Sequence, residues 1–191
     1  MPDISLVPVT AENFADLVEL IHQLAEYEHL DPPDEAAQCR LLADLTGERP
    51  RIEAFLAVDT NPDSTSSNSR TSSTSSTSRT SRTSCNSRTS RNSHTSSTSL
   101  GYAIILETYS SFLALPTMYL EDIFVREDAR KHGVGSLLFD HVVQLARSRG
   151  CGRVDWQVLD WNRLARDFYE RRGALCMKEW MLYRIDLVSG R

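Results

Sequence analysis

Residues 119–138 read YLEDIFVREDARKHGVGSLL, and they change character halfway along. Tyr119, Leu120, Ile123, Phe124 and Val125 are β-formers around the carboxylates Glu121 and Asp122, a pattern that predicts a strand. From Ser136 onward, Leu137, Leu138, Val142, Leu145 and Ala146 recur at helical spacing. Between them lies Arg130-Lys131-His132-Gly133-Val134-Gly135, a glycine-bearing turn into a helix N-terminus. First-turn amides and the positive end of the helix dipole favour an anion there. Glycine lets the backbone approach phosphate oxygens with no Cβ in the way. Backbone amides from His132 to Ser136 are therefore expected to hold phosphate.

A dinucleotide fingerprint fits this turn poorly. It needs three glycines and an acidic residue about 20 positions on. The next predicted strand, Arg153 to Leu159, closes at Asp160, too far past the turn for a ribose contact.

The 191 residues suit one domain, with 40 % apolar and 25 % charged residues. Residues 64–99 differ from the rest: five arginines and no acids stand among Ser, Thr and Asn. That composition cannot offset its ordering entropy, so residues 60–99 are expected to form a disordered insertion in a single domain spanning 1–191. The net charge of −5, with five arginines in the tract, leaves −10 on the remainder, which favours a cationic substrate. An arginine–serine segment of this kind binds RNA or accepts phosphate groups in some proteins, but the plainer reading is a solvated loop grown by repeat expansion.

Cys39, Cys85, Cys151 and Cys176 show no metal spacing and are expected to be reduced thiols, with no metal bound. The N-terminus MPDISLVPVT lacks a basic, apolar leader, so a cytoplasmic protein without a membrane span is expected.

Around the insertion the elements follow in order. Ile4–Val9 reads as a strand, and Thr10 is expected to cap a helix from about Asn13 to His29. Asp34 opens a helix to about Leu45, and the strands Glu53–Val58 and Leu100–Leu106 form a hairpin across the insertion. A helix over about 163–172 and a strand from Trp180 to Leu187 close the chain. The class is α+β, or α/β in three layers: a mixed, mostly antiparallel central sheet with helices on both faces and a phosphate-binding strand–loop–helix.

The Arg-x-x-Gly-x-Gly turn after an apolar strand resembles the pyrophosphate loop of the GNAT superfamily of N-acetyltransferases. The blocks AEYEHL (25–30), YSSFLALPTMYLEDIFV (109–125), GCGRVDWQVLDWN (150–162), FYERRGA (168–174) and EWMLYRID (179–186) resemble its diamine (spermidine/spermine) and thialysine acetyltransferase branch. That resemblance implies acetyl-CoA as co-substrate, a small cationic amine as acceptor and a homodimer, with no nucleic acid or membrane partner. It places acetyl-CoA on Ile123, Phe124, Val125, Arg130, Lys131, His132, Gly133, Val134, Gly135, Ser136 and Asn162. It makes Tyr169 the proton donor to the leaving thiolate and Glu121 the carboxylate facing the reacting amine.

Tyr27, Glu28, Asp122 and Glu179 complete the implied amine site. The residues alone leave Tyr169 divided between ring packing and proton donation, and Glu28 between substrate and a solvated helix face. Alternation along a strand puts Glu121 and Asp122 on opposite faces. The chain departs from the family after Trp161-Asn162, where Arg163-Leu164-Ala165 replaces the usual nearby proline. A non-catalytic acyl-CoA-binding module, or an RNA-associated protein acting through the tract, are the alternatives.

Overall fold

A computed structural model describes residues 3–61 and 98–187, so most of the insertion lies outside the described residues. The chain divides into two compact units, Met1–Trp156 and Gln157–Arg191.

In the first unit, β1 (Ile4–Pro8), β2 (Glu53–Asp59), β3 (Thr98–Ser110), β4 (Leu115–Val125) and β5 (Arg153–Trp156) form one sheet in that order. The first four strands pair antiparallel, and β5 joins β4 in parallel. Three helices accompany them: α1 (Phe14–Glu28), α2 (Glu35–Thr46) and α3 (Val134–Ser148). The mixed, mostly antiparallel sheet matches the expected class.

Register assigns the two faces. Leu56 lies opposite Tyr102, and Phe124 lies opposite Tyr102 on the other side. All three share a core with Leu17 and Leu20 of α1 and Leu45 of α2. Neighbouring strand residues point the other way. Phe55 accordingly meets His141 of α3, with ring centroids 4.5 Å apart. Helices thus cover both faces.

The helix starts show local chemistry at work. Asp34 Oδ1 accepts from the Ala37 N–H at 2.7 Å, the expected cap of α2. For α1 the cap is Asn13, not Thr10. Asn13 Oδ1 accepts from the Thr10 N–H at 2.7 Å, so the side chain folds the approach to the helix instead of closing its first turn.

Several boundaries need correction. Thr98 and Ser99, read as part of the insertion, are strand residues opposite Asp59 and Val58; a partner strand overrides their weak hydrophobicity. β5 ends at Trp156, not Leu159. Cys151 and Cys176 are free thiols, but Cys39 is disulfide-bonded. Local C-x-x-C spacing carries no information about a bond between cysteines distant in sequence.

The second unit holds α4 (Arg163–Arg171). Asn162 Oδ1 accepts from the Ala165 N–H at 3.1 Å, so an asparagine cap starts the helix where the family's proline is missing. The expected strand Trp180–Leu187 is not formed: residues 174–187 contain no strand, and Trp180, Tyr183, Ile185 and Leu187 are exposed. β-propensity needs a partner strand to act on, and the described part of this unit offers none.

Candidate active site

The turn before α3 has the geometry an anion site requires. Gly133 is the N-cap at φ 86°, and Lys131 also lies in the left-handed region at φ 68°. The Leu137 N–H closes onto the Gly133 carbonyl at 2.9 Å, leaving the N–H groups of Val134, Gly135 and Ser136 as first-turn donors. A side chain at Gly135 would find only Val125 Cγ2 near its Cβ, at 3.5 Å. Packing therefore does not demand glycine at 135, and the bare backbone leaves a cradle that a larger side chain would fill. At Gly133 the positive φ itself calls for glycine.

Beside this turn, β4 outruns its neighbour. Pairing with β5 ends at Leu120↔Trp156, while β4 continues to Val125. Along Ile123–Val125 the edge away from β3 carries no β5 partner. A ligand's amides can add to such an edge like an extra strand.

The carboxylates are arranged by a β-bulge. Ile105 lies opposite Leu120 and Ile104 opposite Asp122, so Glu121 is the extra residue of β4. The bulge resets the alternation. Asp122 joins Phe124 and Tyr102 on the α1 face, whereas Glu121 is exposed.

Burial is the main cause holding the Asp122 carboxyl up at about 6, and the charges of Glu121 and Glu28 add to it. The Tyr102 hydroxyl donates to Asp122 Oδ2 at 3.5 Å and works in the opposite direction. Glu28, at the end of α1, is also raised by burial. Burial raises the Tyr119 hydroxyl as well, helped by Glu121, Asp155 and Asp122. The chain thus gathers Glu28, Glu121 and Asp122 in one electrostatic neighbourhood.

Arg130 joins that neighbourhood to the turn. Its Nε donates to the Val125 carbonyl at 3.1 Å, and its guanidinium stands 5.1 Å from the Tyr27 ring centroid and 6.0 Å from that of Phe124. The resemblance places acetyl-CoA at Arg130, whose guanidinium also packs on aromatic faces.

In the second unit, Tyr169 is buried on α4 with its ring 5.4 Å from that of Phe168. Asn162 serves as the cap already described, and Glu179 lies exposed in the irregular segment.

Residues 95–174 match the family model described as the acetyltransferase (GNAT) family. The chain is 33 % identical over 176 residues to an L-ornithine N5-acetyltransferase of Arabidopsis thaliana, covering 87 % of this chain and 77 % of that one. The chain belongs to that family.

A thialysine N-epsilon-acetyltransferase of Bos taurus is 28 % identical, covering 90 % of this chain and 85 % of the relative. A crystal structure of a probable acetyltransferase aligns with a TM-score of 0.69 at 20 % identity, over 97 % of this chain and 99 % of that one. The protein is an acyltransferase enzyme with the GNAT fold. Among the described residues no helix is long and apolar enough to cross a membrane, and no cluster of side chains could hold a metal ion.

Within this acetyltransferase, sequence reasoning missed Tyr102. A tyrosine in GYAII reads as core, and only the bulge at Glu121 brings its hydroxyl to Asp122. An aromatic hydroxyl buried in an apolar strand needs a polar partner; that need was the available signal.

Proposed function

We propose that the enzyme transfers an acetyl group from acetyl-CoA to a primary amine of a small cationic acceptor, such as a diamine, polyamine or thialysine-like compound. The observation that carries this reading is the convergence of Glu28, Glu121 and Asp122 beside the phosphate-type turn. A co-substrate phosphate and an acceptor cation then find opposite electrostatic surroundings, with the pantetheine arm of the co-substrate to span them. The names of the ornithine and thialysine relatives support the same acceptor class.

The residues suit acyl-CoA. The amides from His132 to Ser136, with Lys131 and the α3 dipole, would hold the pyrophosphate. The free edge of Ile123–Val125 would take the pantetheine amides, and a backbone N–H there would polarise the thioester carbonyl. Arg130 would brace the turn, and Asn162 would orient the start of α4. Bound acetyl-CoA supplies the activated acetyl group.

An acceptor amine with an ordinary pKa near 10 is almost fully protonated at neutral pH. Glu28 and Asp122 would bind its cationic groups, with Tyr27 walling the site. Glu121, exposed to solvent, would pass the departing proton to water. Tyr169 would protonate the leaving thiolate, a step a phenol can make toward a thiol with pKa about 8.5. Glu179 would add a further carboxylate for a long acceptor.

Mixing acetyl-CoA with a panel of mono- and diamines and reading free thiol release tests the reading. Turnover that favours dicationic amines supports it. Tight acetyl-CoA binding with no turnover on any amine would point instead to a binding module. Salt-sensitive RNA binding, lost on deleting residues 64–97, would favour the RNA-associated alternative.

A further inference from the structure

Tyr102 is 0 % exposed and lies in the core with Leu17, Leu20 and Phe124. Its hydroxyl does not stop at packing: it reaches Asp122 Oδ2 at 3.5 Å. A phenylalanine would fill the same volume, so packing gives no reason for the hydroxyl. A buried hydroxyl in apolar surroundings is costly without a partner, and Asp122 supplies that partner.

We propose, resting on the amine-acetylation reading, that Tyr102 is a positioning residue. Its phenol holds one carboxylate oxygen of Asp122 so that the other faces the acceptor's ammonium in a fixed orientation.

The groups around Asp122 define what this device controls. Glu28 and Tyr27 come from α1, Tyr102 from β3, Glu121 and Tyr119 from β4, and Arg130 from the turn. Glu28 and Glu121 oppose ionisation of Asp122, and the Tyr102 hydroxyl favours it. Arg130 is engaged with Tyr27, Phe124 and the Val125 carbonyl. The Tyr102 hydroxyl is therefore the neutral donor that keeps Asp122 ionised while the site stays negative enough to hold a cation. Removing it would let Asp122 protonate at higher pH and lose its grip on the ammonium.

The test uses the full chain with carbon-13-labelled aspartate, following carboxyl resonances by NMR with and without 1,4-diaminobutane at saturating CoA. Asp122→Asn identifies the resonance, and Tyr102→Phe removes only the hydroxyl. The expected result is an upward move of the Asp122 midpoint in Tyr102→Phe and a wild-type Asp122 resonance that responds to the diamine. In parallel, kcat/KM for the diamine in Tyr102→Phe should fall about threefold or more between pH 8.5 and 6.5 relative to wild type, while KM for acetyl-CoA holds.

An unchanged Asp122 midpoint overturns the positioning role. A moved midpoint with an unchanged pH profile of kcat/KM overturns the link to the acceptor, as does a wild-type resonance indifferent to the diamine. Failure of the acetylation reading is seen separately, as absence of turnover in the wild type.

Discussion

The Arg130 guanidinium stands 5.1 Å from the centroid of the Tyr27 ring while its Nε donates to the Val125 carbonyl. One side chain thus ties the turn before α3 to the end of α1 and to the end of β4. Arg130→Lys keeps the charge but loses the planar face and the fork. A cation–π contact of this kind contributes about 1 kcal/mol, so KM for both acetyl-CoA and the amine should rise about fivefold. A change confined to acetyl-CoA would mean that Arg130 serves the phosphate alone.

The cofactor cradle is tested most cleanly at Gly135. A Cβ there meets nothing closer than Val125 Cγ2 at 3.5 Å, so Gly135→Val should fold. It should nonetheless weaken acetyl-CoA binding at least tenfold, about 1.4 kcal/mol, by filling the approach to the first-turn amides. Isothermal titration with CoA decides it; unchanged affinity removes the phosphate role from the turn. Gly133→Val is the poorer probe because φ 86° strains the backbone whatever the ligand.

Deleting the insertion should cost little. Asp59 and Thr98 are register partners, and Thr60 is anchored by two hydrogen bonds to the Asp3 carbonyl, each 2.8 Å. Closing the hairpin from Thr60 to Thr98 with a short glycine-containing turn shortens the connection between β2 and β3, and closure entropy varies only with the logarithm of its length. Melting temperature and turnover should stay near wild type, measured in a reductant so that the Cys39 disulfide does not enter the comparison. A folded deletion variant with lost turnover would give the insertion a part in the site.

Asp122 should trade stability for function. Its carboxyl is raised from 3.8 to about 6, so the folded state holds the proton more tightly than the unfolded chain. Below pH 4 both states are protonated and Asp122 contributes nothing to the pH dependence. As pH rises from about 4 to 6, stability falls, and above that range the loss is constant. Asp122→Asn should remove this slope and stabilise the protein at pH 7 by at most about 3 kcal/mol, while raising KM for the amine. Denaturant melts at pH 4 and pH 7 check it; an equal cost at both would show that Asp122 is a packing residue.

Tyr169→Phe keeps the ring against Phe168 and removes only the hydroxyl. General acid catalysis is worth roughly 10²–10⁴-fold, so kcat should drop by about that much, with small changes in affinity for amine and acetyl-CoA. Wild-type turnover, where chemistry limits the rate, would falsify the proton-donor role.

The sequence alone determined what short-range chemistry controls. The Gly133 turn was legible because a helix N-terminus and a residue at positive φ are local properties. The Asp34 cap was legible for the same reason. What only the tertiary structure decided depends on partners distant in the chain.

Strict alternation would leave Asp122 on the face of Leu120, yet pairing with β3 inserts Glu121 as a bulge and turns Asp122 onto the face of α1. That reset buries one carboxylate beside Tyr102 and leaves its neighbour in water. Trp180–Leu187 has the composition of a strand but forms none, because a strand's hydrogen bonds belong to a neighbour, and no local pattern supplies one. The family resemblance places Arg130 among the acetyl-CoA contacts, and the fold adds a further engagement for it. The return of α1 brings Tyr27 beneath its guanidinium, and packing on that aromatic face decides where the side chain goes.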